Sequence, residues 1–167
     1  MPIKRLFFFL TSTFLYADLY AQCSFVTGSY IDELYDPKYI NKIEVEIPKS
    51  AKFSRNVLKI LVSDTENIKP KFKKRFNANI IVNYDFGSCI YRGKVRQSGD
   101  WKDHIKLIDA GNPVMSLDVK LDEGNIVGAV RFKLLIPETR NGINEVLGSI
   151  FLRELGMIAP ETFEIKT

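Results

Sequence analysis

The chain has 167 residues, of which 46% are apolar and 26% charged, and a formal net charge of +4. That composition excludes a disordered or fibrous chain, and so mild a charge names no partner by itself. Cys23, Cys89 and His104, the only cysteines and histidine, are too few for a structural zinc site of the four-ligand kind, and no metal site is expected from them.

Residues 1–21 have the three parts of a secretory signal peptide. Lys4 and Arg5 form a basic start, residues 6–16 an apolar run, and Ala17 and Ala21 offer small residues for cleavage. The run is shorter than the about 20 apolar residues that cross a bilayer. An exported protein follows, periplasmic or at the cell surface, with no transmembrane helix once the leader is removed. The remaining chain, about 146 residues, is enough for one domain. In an oxidising compartment Cys23 and Cys89 are expected to form a disulfide that ties the mature N-terminus to the sheet.

Residues 22–70 form a lead-in. Tyr30, Tyr35 and Tyr39 are spaced for a short helix or a packed loop. Ile43, Val45 and Ile47 alternate with Glu44 and Glu46 as in a strand, which Pro48 ends. Ser50 is placed to cap a helix carrying Phe53, Val57, Leu58, Ile60 and Leu61. Residues 64–70 read as a polar turn, followed by the basic cluster Lys71, Lys73, Lys74 and Arg75.

Residues 71–167 carry the clearer pattern. Phe76, Ala78, Ile80, Val82 and Tyr84 share one strand face, residues 85–88 form a hairpin turn, and Cys89, Tyr91 and Val95 continue the apolar face on the return. A loop is expected over residues 97–114. A third strand holds Met115, Leu117, Val119 and Leu121, and a fourth Val130, Phe132, Leu134 and Ile136. Asn141 is placed to cap a helix over 142–155, which Gly156 and Pro160 terminate. Phe163 and Ile165 then begin another strand close to the last residue, the pattern expected of a longer protein cut short. The fold class is α+β: an antiparallel sheet of about four to six strands with one main helix packed on its apolar face, plus a short N-terminal strand–helix unit.

Side chains alternate across a strand, so the residues between the apolar ones share the opposite face. They are Asn77, Asn79 and Asn83, then Arg92, Lys94 and Arg96, then Ser116, Asp118, Lys120 and Asp122, then Arg131 and Lys133. Arginine and lysine there suit phosphates or an anionic glycan, although Lys and Arg are also ordinary on the solvated face of an antiparallel sheet. Nucleic acid is not expected, because these cations lack interleaved aromatics for stacking. In the 97–114 loop, His104 with Asp100 and Asp103 has the makings of an acid–base group, but no Ser or Cys nucleophile stands in a motif beside it. Gly99 with Ser98 and Asp100 has the residues of an anion-cradling turn, and Trp101 is the kind of residue that anchors a long loop against a core.

The stretch Val95-Arg96-Gln97-Ser98-Gly99-Asp100-Trp101, followed by Ser116-Leu117-Asp118-Val119-Lys120-Leu121, resembles the N-terminal part of spore-coat CotH-type kinases. So does the later run from Asn144-Glu145 to Phe151-Leu152-Arg153-Glu154-Leu155-Gly156, with Ala159-Pro160 after it. The resemblance spans residues 70–167. It implies a kinase N-lobe-like fold, ATP with a divalent metal as cofactor, and a protein or envelope component as substrate. The family's catalytic and metal-binding acids belong to a C-terminal lobe that no residue here matches, so catalytic residues cannot be assigned and such a lobe alone is expected to be inactive. Lys120 falls on the family's strand lysine and Arg96 on its strand-end arginine. With Arg131 and Lys133 they form the expected nucleotide-phosphate site. The Lys–Glu pair that orients a kinase lysine is not expected, because Lys120 and Lys133 face away from the side assigned to the helix. The competing expectation is a binding module that uses the same face for an anionic envelope polysaccharide or a surface protein.

Overall fold

Period-2 alternation places Ala78, Ile80, Val82 and Tyr84 on one side of their strand, and all four are buried in the computed structural model. The structure describes residues 22–25, 27–107 and 113–166, so the signal-peptide reading of residues 1–21 lies outside the described residues. The elements in chain order are β1 (Gln22–Cys23), β2 (Ile40–Glu46), α1 (Ser50–Leu61), β3 (Phe76–Tyr84), β4 (Gly87–Gln97), β5 (Ile105–Leu107), β6 (Pro113–Met115), β7 (Leu117–Leu121), β8 (Arg131–Leu134) and α2 (Asn144–Glu154). Short 3-10 turns occupy much of the segment between β1 and β2.

The fold is α+β, with an antiparallel sheet in the order β2-β3-β4-β7-β8. β1 pairs with β4 beyond the end of β7, which sets Cys23 directly opposite Cys89, and the two are joined in a disulfide. Gly93 of β4, paired with Leu121 of β7, has no room for a side chain: a Cβ there would meet the Lys120 carbonyl at 2.6 Å. Among the described residues no helix is long and apolar enough to cross a membrane.

The core combines Ile40 and Ile43 of β2 with the apolar faces of β3, β4 and β7. Each such side chain, fully buried, contributes roughly 1.5–3 kcal/mol of transfer free energy. Its cover differs from the expected one. Phe25, Leu34, Tyr39, Val127 and Ile165 pack on this cluster, and no residue of α2 does. Phe25 meets Phe86 edge-on at 4.9 Å and Tyr30 stacks on Phe86 at 4.4 Å, so the lead-in aromatics take the place assigned to the helix. Leu147, Ile150 and Phe151 of α2, and Leu155 just after it, are consequently exposed. The helix is held by its polar side: Ser149, buried, lies 2.9 Å from the Thr162 hydroxyl. Gly156 (φ +73°) closes α2, with the Met157 N–H donating to the Leu152 carbonyl at 2.9 Å, as in a Schellman ending.

Helix α1 has its own core. Val57 and Ile60 are buried against Ile68 and Ile105, with Phe53 and Phe72 at the margin. Neither helix start uses the expected cap. Lys49 precedes α1 without a side-chain cap, and Asn141 ends the 3-10 turn Pro137–Arg140 in a left-handed conformation, φ +52°.

Three strand expectations are also revised. The 97–114 stretch contains a second hairpin, β5 with β6. The expected third strand breaks at Ser116, whose carbonyl accepts from the Ser98 N–H at 2.8 Å while its own N–H donates to the His104 carbonyl at 3.0 Å. Phe163 and Ile165 form no strand; the chain runs along the outer edge of β2, where the Ile43 N–H donates to the Lys166 carbonyl at 2.9 Å.

Candidate functional site: the basic face of the sheet

The register sets two rows of side chains across the outer face of β4, β7 and β8. Arg96, Asp118 and Lys133 lie opposite one another, and so do Lys94, Lys120 and Arg131. Asp118 is buried, its side chain 2% exposed, and it is the centre of the arrangement. Arg75, just ahead of β3, donates to Oδ1 at 2.9 Å; Arg96 donates to Oδ2 at 3.0 Å. Arg131 grips both oxygens, Nε to Oδ1 at 3.1 Å and Nη2 to Oδ2 at 2.7 Å. Burial alone would raise the Asp118 carboxyl, but the hydrogen bonds from Arg131, Arg75 and Arg96 outweigh it and hold the group well below the usual carboxylate range.

Lys94 lies 3.6 Å from Asp122, and Arg92 forms a fork with Glu123 at 2.8 Å for each contact. Lys120 and Lys133 have no carboxylate within ion-pair distance among the described residues. The face therefore keeps a cationic surplus. Of the four expected phosphate-site residues, the structure ties Arg96 and Arg131 together through Asp118 and sets Lys120 and Lys133 beside them. Arg75 was not among the expected site residues, and Asp118 was not expected to be buried. The only sequence signals were a basic cluster ending in Arg75 and one acid within an otherwise apolar and basic strand.

The loop candidates form a separate, structural group. Gly99 (φ +88°) packs so closely on the His104 ring that no side chain fits there. His104 is buried, and its Nδ1 lies 3.1 Å from the Ser116 hydroxyl, which also accepts from the Ile136 N–H at 3.1 Å. Ser116 is 0% exposed, so this Ser–His pair has no route to a substrate. Asp100 pairs with Lys73, whose hydrogen bond lowers the Asp100 carboxyl, and Trp101 is 56% exposed instead of anchoring the loop in the core.

Two cavities adjoin the β8 edge of the basic face. One of about 620 Å³ lies among Ile40, Leu134, Val146, Phe163 and Ile165. The other, about 500 Å³, is bordered by Arg131 and Lys133, by Glu145 and Glu161, and by apolar residues such as Ile126 and Phe132. These volumes fall within the usual range for small-molecule sites, about 300–1,000 Å³. The cations fit the phosphates of a nucleotide. For a divalent metal the described residues offer no group of three His, Cys, Asp or Glu side chains. No family model, curated protein or solved structure matches this chain.

Proposed function

We propose that this chain is the nucleotide-binding N-terminal lobe of an exported CotH-like kinase, inactive alone, with the basic face of the sheet receiving the phosphates. The observation that carries the reading is the meeting of that face with an apolar-walled cavity at Arg131 and Lys133. A nucleotide needs both surfaces at once, cationic donors for its phosphates and an apolar slot for its base. Phosphoryl transfer depends chiefly on positioning and charge stabilisation, so a fixed cationic surface is a sensible part of such a catalyst. The Cys23–Cys89 disulfide is in keeping with an oxidising compartment and so with export.

The test is ATP affinity of the full-length protein after Lys120→Ala and Lys133→Ala. Neither lysine holds an ion pair among the described residues, so both variants should melt within about 1 °C of wild type, since surface substitutions of this kind change stability little. A lost charge-assisted phosphate contact should weaken ATP roughly tenfold. Unchanged affinity in both variants would reject the nucleotide reading. One observation favours a second reading: the cations spread over three strands of an open face, a shape that suits an extended polyanion. Loss of binding to an acidic polysaccharide, with ATP affinity unmoved, would select it.

A further inference from the structure

We infer that Arg75, Arg96 and Arg131 form a discrete receptor for one tetrahedral dianion, orthophosphate or a phosphate monoester, with Asp118 as the residue that positions it. The inference rests on the phosphate reading of this face but assigns a different set of residues.

Three guanidinium groups from separate parts of the chain converge on one carboxylate. Asp118 accepts from Arg75 and Arg131 on Oδ1 and from Arg96 and Arg131 on Oδ2, which engages both of its oxygens twice. The inner edge of each guanidinium is thereby fixed. Each arginine has five N–H donors in a rigid fork; the carboxylate takes only some of them, and Arg75 also donates Nη1 to the Lys94 and Asp118 carbonyls at 3.3 and 3.4 Å. The arginine side chains remain 25%, 32% and 56% exposed over an acid that is 2% exposed. The arginines thus form a layer over Asp118 that stays open to solvent, most at Arg131 and least at Arg75.

Charge selects the ligand. One carboxylate neutralises one of three cations, so two positive charges remain within reach of a single small anion. A carboxylate ligand would leave one of them unpaired, whereas a phosphate monoester above its second ionisation, near pH 6, carries about −2 and matches both. The planar forks also suit the oxygen edges of a phosphate. Because Asp118 already holds the forks, binding need not freeze three flexible side chains.

The experiment titrates the full-length protein with orthophosphate, phenyl phosphate and, as control, acetate at matched ionic strength, read by calorimetry and by the shift in melting temperature. Orthophosphate and phenyl phosphate should bind while acetate does not, and affinity should rise between pH 5 and 7.5 as the ligand gains its second charge. Phenyl phosphate binding as tightly as orthophosphate identifies a monoester receptor; a preference for orthophosphate identifies a receptor for the free ion. Arg75→Gln should weaken binding about tenfold or more, and Arg75→Lys should not restore it, because an ammonium lacks the fork. If Arg75→Gln fails to fold, Arg131→Gln, at the most exposed of the three positions, takes its place. Phosphate indistinguishable from acetate, or unaltered in the glutamine variant, would overturn the inference. That failure is separable from failure of the nucleotide reading: ATP binding sensitive to Lys120 and Lys133 but not to Arg75 leaves the nucleotide reading standing and removes this one.

Discussion

Replacing Asp118 by Asn preserves the size of the side chain and removes its charge, leaving three arginines converging on a neutral amide. In the native cluster the guanidiniums of Arg75, Arg96 and Arg131 approach at 2.9, 2.8 and 2.7 Å. A hydrogen bond to a charged group contributes about 1.5–3 kcal/mol, but these arginines are a quarter to half exposed and screened by water, so about 1 kcal/mol per pair is the better figure. The expected loss is about 3 kcal/mol, the lower end of what breaking a buried ion pair costs. In a chain of this size that lowers Tm by roughly 6–12 °C. Urea unfolding at pH 7 should show an earlier midpoint with an unchanged slope. The pH dependence supplies the sign. Asp118 is depressed in the folded state, so its contribution is fully present above its unfolded value, about 3.9, and fades as pH falls through the folded one. The gap between native and variant should therefore be constant at neutral pH and narrow below about pH 4. Equal stability at pH 7, or a gap that ignores acidification, would refute the account of Asp118 as the charged centre of the face.

Breaking the Cys23–Cys89 disulfide, by reductant or by a double Ser substitution, opens a loop with a sequence separation of 66 and should cost about 4 kcal/mol at most; a melting curve unmoved by reductant would contradict this. The two helices should respond oppositely to truncation. Ile60→Ala in the α1 core should cost about 2–5 kcal/mol, whereas Leu147→Ala on α2 should fall within about 0.5 kcal/mol of native in a denaturant melt. A large loss at Leu147 would mean that the exposed side of α2 is covered.

Much of the architecture was legible in local pattern. Alternation in residues 76–84 and 89–95 fixes which side chains face inward, because a one-residue slip would turn every one of them to the wrong side. The hairpin at residues 85–88 and the left-handed Gly156 follow from backbone chemistry that needs no distant partner. The outward set Arg96, Lys120, Arg131 and Lys133 was readable for the same reason.

Long-range competition and convergence were not readable. The periodicity of α2 marks a helix with an apolar stripe but carries no information on what covers the sheet, and the lead-in aromatics Phe25, Tyr30 and Tyr39 take that position. His104 looks like a loop residue until Gly99 and Ser116 close around it. Asp118 reads as one more polar residue on a solvated face, since nothing local reveals that Arg75, 43 residues away, will reach it. The sequence by itself determined the long strands β3 and β4, the inward and outward faces of β3, β4, β7 and β8, and the sign of the outward charge, because these depend on the two-residue period of the backbone. Only the tertiary structure decided that two of those charges, with Arg75 from outside the strands, share one buried carboxylate, because that depends on the order in which the strands lie side by side.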